Sequence, residues 1–169
     1  MFSPFAAGLN WDWIVAAAEA VGGDPRLTVI GGDWEAARRD PILRRWADPA
    51  WDWRGRLDAP AVLALLARAR LVLAPFVGGL TGRRTSALAA ASAGARVLSS
   101  RGPDFDETLN GGSFTFAGSR DEYAELARAL FRQADQPQQR RARVAWYDER
   151  LSSKHLDRTL LGLVLGSTS

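Results

Sequence analysis

The chain has 169 residues, 22 basic and 19 acidic side chains, and a formal net charge of +3, which suits one globular domain with a full core. It has no cysteine and one histidine, so disulfides, thiolate metal sites and multi-histidine metal sites are excluded. The arginines are interleaved with acids, so no basic face argues for nucleic acid.

No run approaches the roughly 20 apolar residues of a membrane span. The N-terminus shows no basic stretch followed by an apolar one, so no export signal is visible. The opening segment, MFSPFAAGLN, reads as loop. Asn10 is placed to cap a helix from Trp11 to about Val21, with Ile14, Ala17, Ala18 and Val21 on one face. Leu27–Gly31 reads as a short buried strand. Asp33 caps a helical stretch through Arg39, and Asp40-Pro41 restarts a turn of helix toward Trp46.

Ala50–Leu57 reads as a strand with Trp51 and Trp53 on one side. Asp58 and Pro60 open a helix with Val62, Leu63, Leu66 and Ala69 inward. Leu71–Ala74 is a strand, Thr85–Ala93 a helix of small residues, and Ala95–Ser99 and Gly112–Ala117 are strands. Ser119 and Glu122 suggest a capping box. Tyr123, Leu126, Ala127, Leu130 and Phe131 then share a helix face. Further helices are expected over about Gln138–Ser153 and Lys154–Leu165.

Strands alternating with helices predict a Rossmann-like α/β fold, a parallel sheet with helices on both faces. Ligands in such folds sit beyond the carboxyl ends of the strands. The loops there are Gly31–Asp33, Arg54–Arg56, Phe76–Arg84 and Ser100–Asp106. A doubly wound domain usually opens with a strand, whereas this one opens with a loop and helix. The chain is therefore expected to start partway through a domain, or to take its first strand from elsewhere.

The loop Gly78–Ser86 is the best candidate site. Gly78, Gly79 and Gly82 let a ligand approach the backbone, Arg83 and Arg84 supply cations, and Thr85 and Ser86 open a helix. Backbone N–H groups and the helix dipole there favour a phosphate. The loop is neither a Walker P-loop nor a G-x-G-x-x-G dinucleotide turn, which argues against ATPase and NAD chemistry.

The run from Trp53 to Ser100 resembles the donor-binding C-terminal lobe of a glycosyltransferase with the two-Rossmann-domain GT-B fold. The residues are Trp53-Arg54-Gly55, Leu65-Leu66, Leu73-Ala74-Pro75, and the helix and strand from Leu88 to Val97, LAAASAGARV. Gly79–Ser86 is similar to a Gly-x-Ser/Thr-x-Arg-Arg-x-Ser loop of some bacterial members. Many members instead carry two glutamates for the donor's sugar and ribose hydroxyls, at positions that are Thr81 and Ala89 here.

The resemblance implies a single lobe spanning 1–169 that takes a nucleoside-diphosphate sugar. Its diphosphate would meet Gly78, Gly79, Thr81, Gly82, Arg83, Arg84, Thr85 and Ser86, and its base Arg54 and Gly55, largely through backbone. Asn10, Asp106 and Glu107 are candidate sugar contacts. No metal or other cofactor is expected, and no catalytic residue is assigned. The sugar would pass to a saccharide or lipid-linked acceptor held by an N-terminal lobe absent from this chain. The expected location is cytoplasmic, or peripheral at the inner membrane face. The alternative is a catalytically inactive lobe serving as a binding or assembly module.

Asp104-Phe105-Asp106 looks like the D-x-D metal motif of the other glycosyltransferase fold, but the surrounding pattern does not belong to that fold. Trp11 and Trp13 are candidates for stacking on sugar. Trp46, Trp51, Trp53 and Trp146 are expected to pack between helices and sheet, and His155 is expected at a surface or packing position. Apolar surface beside Gly78–Arg84 would mark the seat of a missing lobe.

Overall fold

The computed structural model describes residues 8–23, 27–41 and 43–152. Strands β1 (Thr28–Val29) and β2 (Asp52–Trp53) pair in parallel. Strands β3 (Val72–Ala74), β4 (Val97–Ser100) and β5 (Phe114–Ala117) form a second parallel sheet in that order. The helices are α1 (Trp11–Val21), α2 (Trp34–Arg39), α3 (Ala59–Arg68), α4 (Thr85–Ser92), α5 (Arg120–Arg132) and α6 (Pro137–Arg150). The result is a Rossmann-like α/β lobe.

Strand alternation distributes the core. Val72, Ala74, Val97, Phe114 and Phe116 pack with Val62 and Leu66 of α3 and with Ala87, Ala90 and Ala91 of α4. Their neighbours Leu71, Leu73, Leu98 and Ala117 pack on the other face with Ala17 of α1 and with Tyr123 and Ala127 of α5. Both faces are thus covered, as a parallel sheet requires. Leu98 is fully buried, and such a side chain contributes about 2–3 kcal/mol. Tyr123 is also fully buried, lies 5.4 Å from the Trp13 ring, and donates its hydroxyl to Leu98 O. Burial pushes its phenol well above the ordinary tyrosine range.

Three arginines close the far side of the lobe. Arg96 donates to Leu130 O, Gln133 O and Ala134 O at the end of α5. Arg140 donates to Ala67 O and Ala69 O at the end of α3, and Arg143 to Gly94 O just after α4. Cations suit the carbonyl ends of helices. Asp135 holds all three, at 3.6 Å from Arg96, 2.6 Å from Arg140 and 2.5 Å from Arg143. Its burial would push the carboxyl up, but hydrogen bonds from Arg143 and Arg140 outweigh that and hold it below its usual range.

Several local expectations are corrected. The Ala50–Leu57 strand shrinks to Asp52–Trp53, because Gly55 turns at φ +59 to meet the loop after β1. Leu63 faces out, 43% exposed, one position from the inward Val62. Asn10 caps α1 only through its carbonyl, which accepts from Trp13 and Ile14 N–H. Ser119 accepts from Glu122 N–H, but the Glu122 carboxylate turns to Gly118 N–H, so only half of the expected capping box forms. The opening-strand question and the Lys154–Leu165 helix with His155 lie outside the described residues. Among those residues no helix is long and apolar enough to cross a membrane.

Candidate functional site

The carboxyl ends of β3 and β4 are bound together by buried hydroxyls. Ser99 Oγ donates to Ala74 O at 2.6 Å, and Ser100 Oγ donates to Phe76 O. Each of these carbonyls also accepts a backbone N–H, Ala74 O from Phe76 and Phe76 O from Gly79, so the serines use the second lone pair. The next segments are then sewn to each other. Leu80 N–H reaches Ser100 O at 3.3 Å, Asp104 N–H reaches Gly78 O at 2.8 Å, and Asp106 N–H reaches Leu80 O at 3.0 Å. The Leu80 side chain is fully buried and plugs the loop into the core. On the other flank, Asn10 N–H donates to Pro75 O and Val77 N–H to Gly8 O, both at 2.8 Å. The segments 8–10, 75–86 and 100–106 therefore meet at one rim.

Glycine makes this meeting possible at two positions. Gly79 has φ +91, and a Cβ there would lie 2.8 Å from Gly102 N. A Cβ on Gly102 would lie 2.5 Å from Gly78 C. The two loops touch backbone to backbone.

Hydrogen-bond accounting separates the loop's amides. Gly79 N–H donates to Phe76 O, Leu80 to Ser100 O, Arg83 to Thr81 Oγ1, Arg84 to Thr81 O, and Thr85 to Arg83 O. Among the described residues, no protein acceptor takes the N–H of Gly78, Thr81, Gly82 or Ser86. Thr81 and Gly82 are consecutive, and Ser86 lies in the first turn of α4, where orphan donors and the helix dipole coincide.

The arginines differ. Arg83 is exposed, whereas the Arg84 guanidinium lies over the Phe76 ring, 4.7 Å from its centroid. Thr81 and Ser86 are half-buried, and Gly82 and Thr85 are exposed. Val77, at 53%, is the large apolar residue exposed on this rim among the described residues, and a single exposed valine is ordinary.

A family model described as glycosyl transferase-like matches residues 11–160. The chain belongs to this glycosyl transferase-like family. No curated protein and no solved structure matches it. The family match runs from α1 to α6 and includes the rim segments 75–86 and 100–106.

Within this family member the other candidate residues are placed as follows. Asp106 lies at the rim; its Oδ1 accepts from Thr108 N–H and Oγ1, and its Oδ2 faces Gly82. Glu107 is exposed and accepts from Asn110 Nδ2. Asn10 reaches the rim through its backbone. Arg54 and Gly55 spend their N–H groups on Val29 O and Gly32 O, and Arg54 Nε pairs with Asp52 at 2.8 Å. The Gly55 carbonyl accepts from Gly31 N–H, and among the described residues no hydrogen bond joins Arg54 or Gly55 to Gly78–Ser86. Trp11 is 7% exposed in the core beside Ile14 and Leu43, and Trp13 packs on Tyr123. Neither tryptophan is presented as a sugar platform, because α1 uses both to pack.

Two rim residues escaped the sequence reading as individual contacts. Arg101 follows β4 directly, exposed, with its guanidinium 5.6 Å from the Phe105 centroid. Asp104 lies against Gly78, its Oδ2 2.6 Å from where a Cβ of that glycine would stand. A shallow apolar groove of about 480 Å³ lies elsewhere, lined by Ala93, Pro137, Val144 and Ala145 among others, and shares no residue with the rim.

Proposed function

We propose that this lobe binds the nucleoside-diphosphate sugar of a GT-B glycosyltransferase and seats its diphosphate on Gly78–Ser86. The observation that carries this is the pair of consecutive N–H groups at Thr81 and Gly82, joined by Ser86, that no described protein acceptor takes. The family match, which includes that loop, supports it. Arg83 and Arg84 add charge-assisted donors for phosphate oxygens. As the sugar departs, negative charge grows on the diphosphate. Fixed amides, the α4 dipole and the arginines oppose that charge without reorganising and without a metal. Asn10, Asp106 and Glu107 are the proposed sugar-side contacts, with Arg54 and Gly55 toward the base.

The acceptor, saccharide or lipid-linked, belongs in this reading to a facing N-terminal lobe, so these residues alone bind donor weakly and transfer little. Isothermal titration with UDP, GDP and their sugars tests this. Saturable binding that weakens in Arg83→Ala/Arg84→Ala supports it, and silence with every nucleotide overturns it. A second reading, a non-enzymatic binding module, is favoured by Thr81 and Ala89 standing where many relatives have glutamates. It predicts that silence together with a stable complex with a partner or with itself.

A further inference from the structure

Two strand edges are left unpaired inside the lobe. Among the described residues β1 pairs only with β2, and β3 only with β4. Val72 N–H donates to Arg96 O at 2.8 Å, so alternation turns the N–H and C=O of Leu73 to the edge away from β4. Asp52 N–H donates to Leu27 O and Arg54 N–H to Val29 O, both at 2.9 Å, so the N–H and C=O of Thr28 and Ile30 face away from β2. Among the described residues none of these edge groups has a hydrogen-bond partner.

The same two helices cover both edges. Val29 and Leu73 pack against Trp11 and Ile14 of α1. Ile30, Val72 and Ala74 pack with Val62 and Leu66 of α3. The two edges therefore alternate in phase between the same two layers. Yet Thr28–Ile30 and Leu71–Leu73 are only half-buried, whereas Val97–Ser100 of β4, with a strand on either side, is buried throughout. Interior strands of a parallel sheet are buried and their backbone groups paired. Two such edges under common helices define a slot for one more strand.

The chain itself leads into that slot. Asn10 N–H occupies Pro75 O, and Gly8 O accepts from Val77 N–H, both at 2.8 Å. A strand parallel to β3 would finish at that rim, beside Gly8. It must also leave the edge before Pro75, whose carbonyl is already taken. Pro4 stands in the sequence where this is needed. It has no N–H to continue a ladder, and it favours an extended residue before it.

We propose that Met1–Ser3 fill the slot as a parallel strand, with Phe2 between Leu73 and Val29. Leu73 N–H then donates to Met1 O, and Ser3 N–H to Leu73 O. On the other side Phe2 N–H donates to Thr28 O, and Ile30 N–H to Phe2 O. The Phe2 ring takes the α1 face that Leu73 and Val29 share, against Trp11 and Ile14. Pro4–Ala7 spans up to about 13 Å, enough to climb from the level of Ala74 to Gly8 beside Val77. The two sheets become one, and the Gly8–Asn10 side of the rim is anchored to its centre. This inference is independent of the donor site proposed above.

Amide hydrogen exchange and proton–proton contacts, measured by NMR on the full chain and on Phe2→Asp and Phe2→Leu, test it. The Leu73 and Ile30 amides are expected to exchange slowly in the wild type, with cross-strand contacts from Met1–Ser3 to Leu73 and Val29. Phe2→Asp should speed those two amides by about tenfold or more while β4 amides stay slow, and Phe2→Leu should keep them protected. Fast exchange at Leu73 and Ile30 in the wild type overturns the proposal. So does protection that Phe2→Asp leaves unchanged, because the edges are then closed by something else. Protection that falls on dilution also overturns it, by assigning the strand to a second copy. If Phe2→Asp unfolds the whole lobe, the wild-type contacts decide: their presence supports the proposal and their absence overturns it.

Discussion

Arg84 lays its guanidinium over the Phe76 ring at 4.7 Å, while its neighbour Arg83 stands exposed. The stacked cation is tied to the fold and the other is free for a ligand. A cation–π contact at an exposed site contributes about 0.5–1 kcal/mol. Arg84→Ala is therefore expected to lower stability by about that amount and also to weaken nucleotide binding. Arg83→Ala is expected to weaken binding about tenfold with no change in melting. Urea unfolding of both variants, alongside calorimetry, checks the division; equal stability losses would contradict it.

Gly79 and Gly82 make a second contrast. Gly79 has φ +91 and backbone of Gly102 in the way, so Gly79→Ala should cost roughly 2 kcal/mol or more. At Gly82 the nearest atom to an added Cβ is Asp106 Oδ2 at 3.6 Å, and φ is ordinary. Gly82→Ala should fold normally yet weaken nucleotide binding, because a methyl group then stands where the diphosphate meets the amides. Melting and binding measured together separate the two effects.

Asp135 sets an acid limit on stability. Its carboxyl is held below the usual range in the folded chain by Arg143 and Arg140, against burial. A depressed carboxyl binds fewer protons folded than unfolded, so its contribution is complete above about pH 4 and is lost as pH falls through the folded value. Asp135→Asn leaves Arg96, Arg140 and Arg143 without their counter-charge, and should cost about 3 kcal/mol at neutral pH. Below about pH 4 the gap between wild type and variant should narrow. Unfolding midpoints against pH read this directly.

The elements were legible where periodicity was strong. The face Tyr123–Phe131 became a helix because it has one coherent apolar side, and the alanine-rich stretch after Arg84 because alanine favours the helix. Boundaries failed where tertiary contacts decide them, as at Gly55, whose pairing with Gly31 and Gly32 ends β2 early. The rim loop was legible from its glycines and arginines. What the sequence hid was which amides are already used, since Ser100 and Phe76 carbonyls claim two of them only in three dimensions. Asp104 was hidden for the same reason: its approach to Gly78 depends on a contact between glycines 24 positions apart, Gly78 and Gly102. The arginine–Asp135 network joins three helix ends and has no linear signature.

In the proposed function the donor diphosphate rests on the amides of Thr81, Gly82 and Ser86. The most direct measurement is a proton–nitrogen correlation spectrum of the labelled chain titrated with UDP- or GDP-sugar. Saturable shifts are expected, largest at Thr81, Gly82 and Ser86 and small at the already bonded Gly79 and Leu80. Shifts confined to other parts of the lobe, or none with any nucleotide sugar, would contradict it.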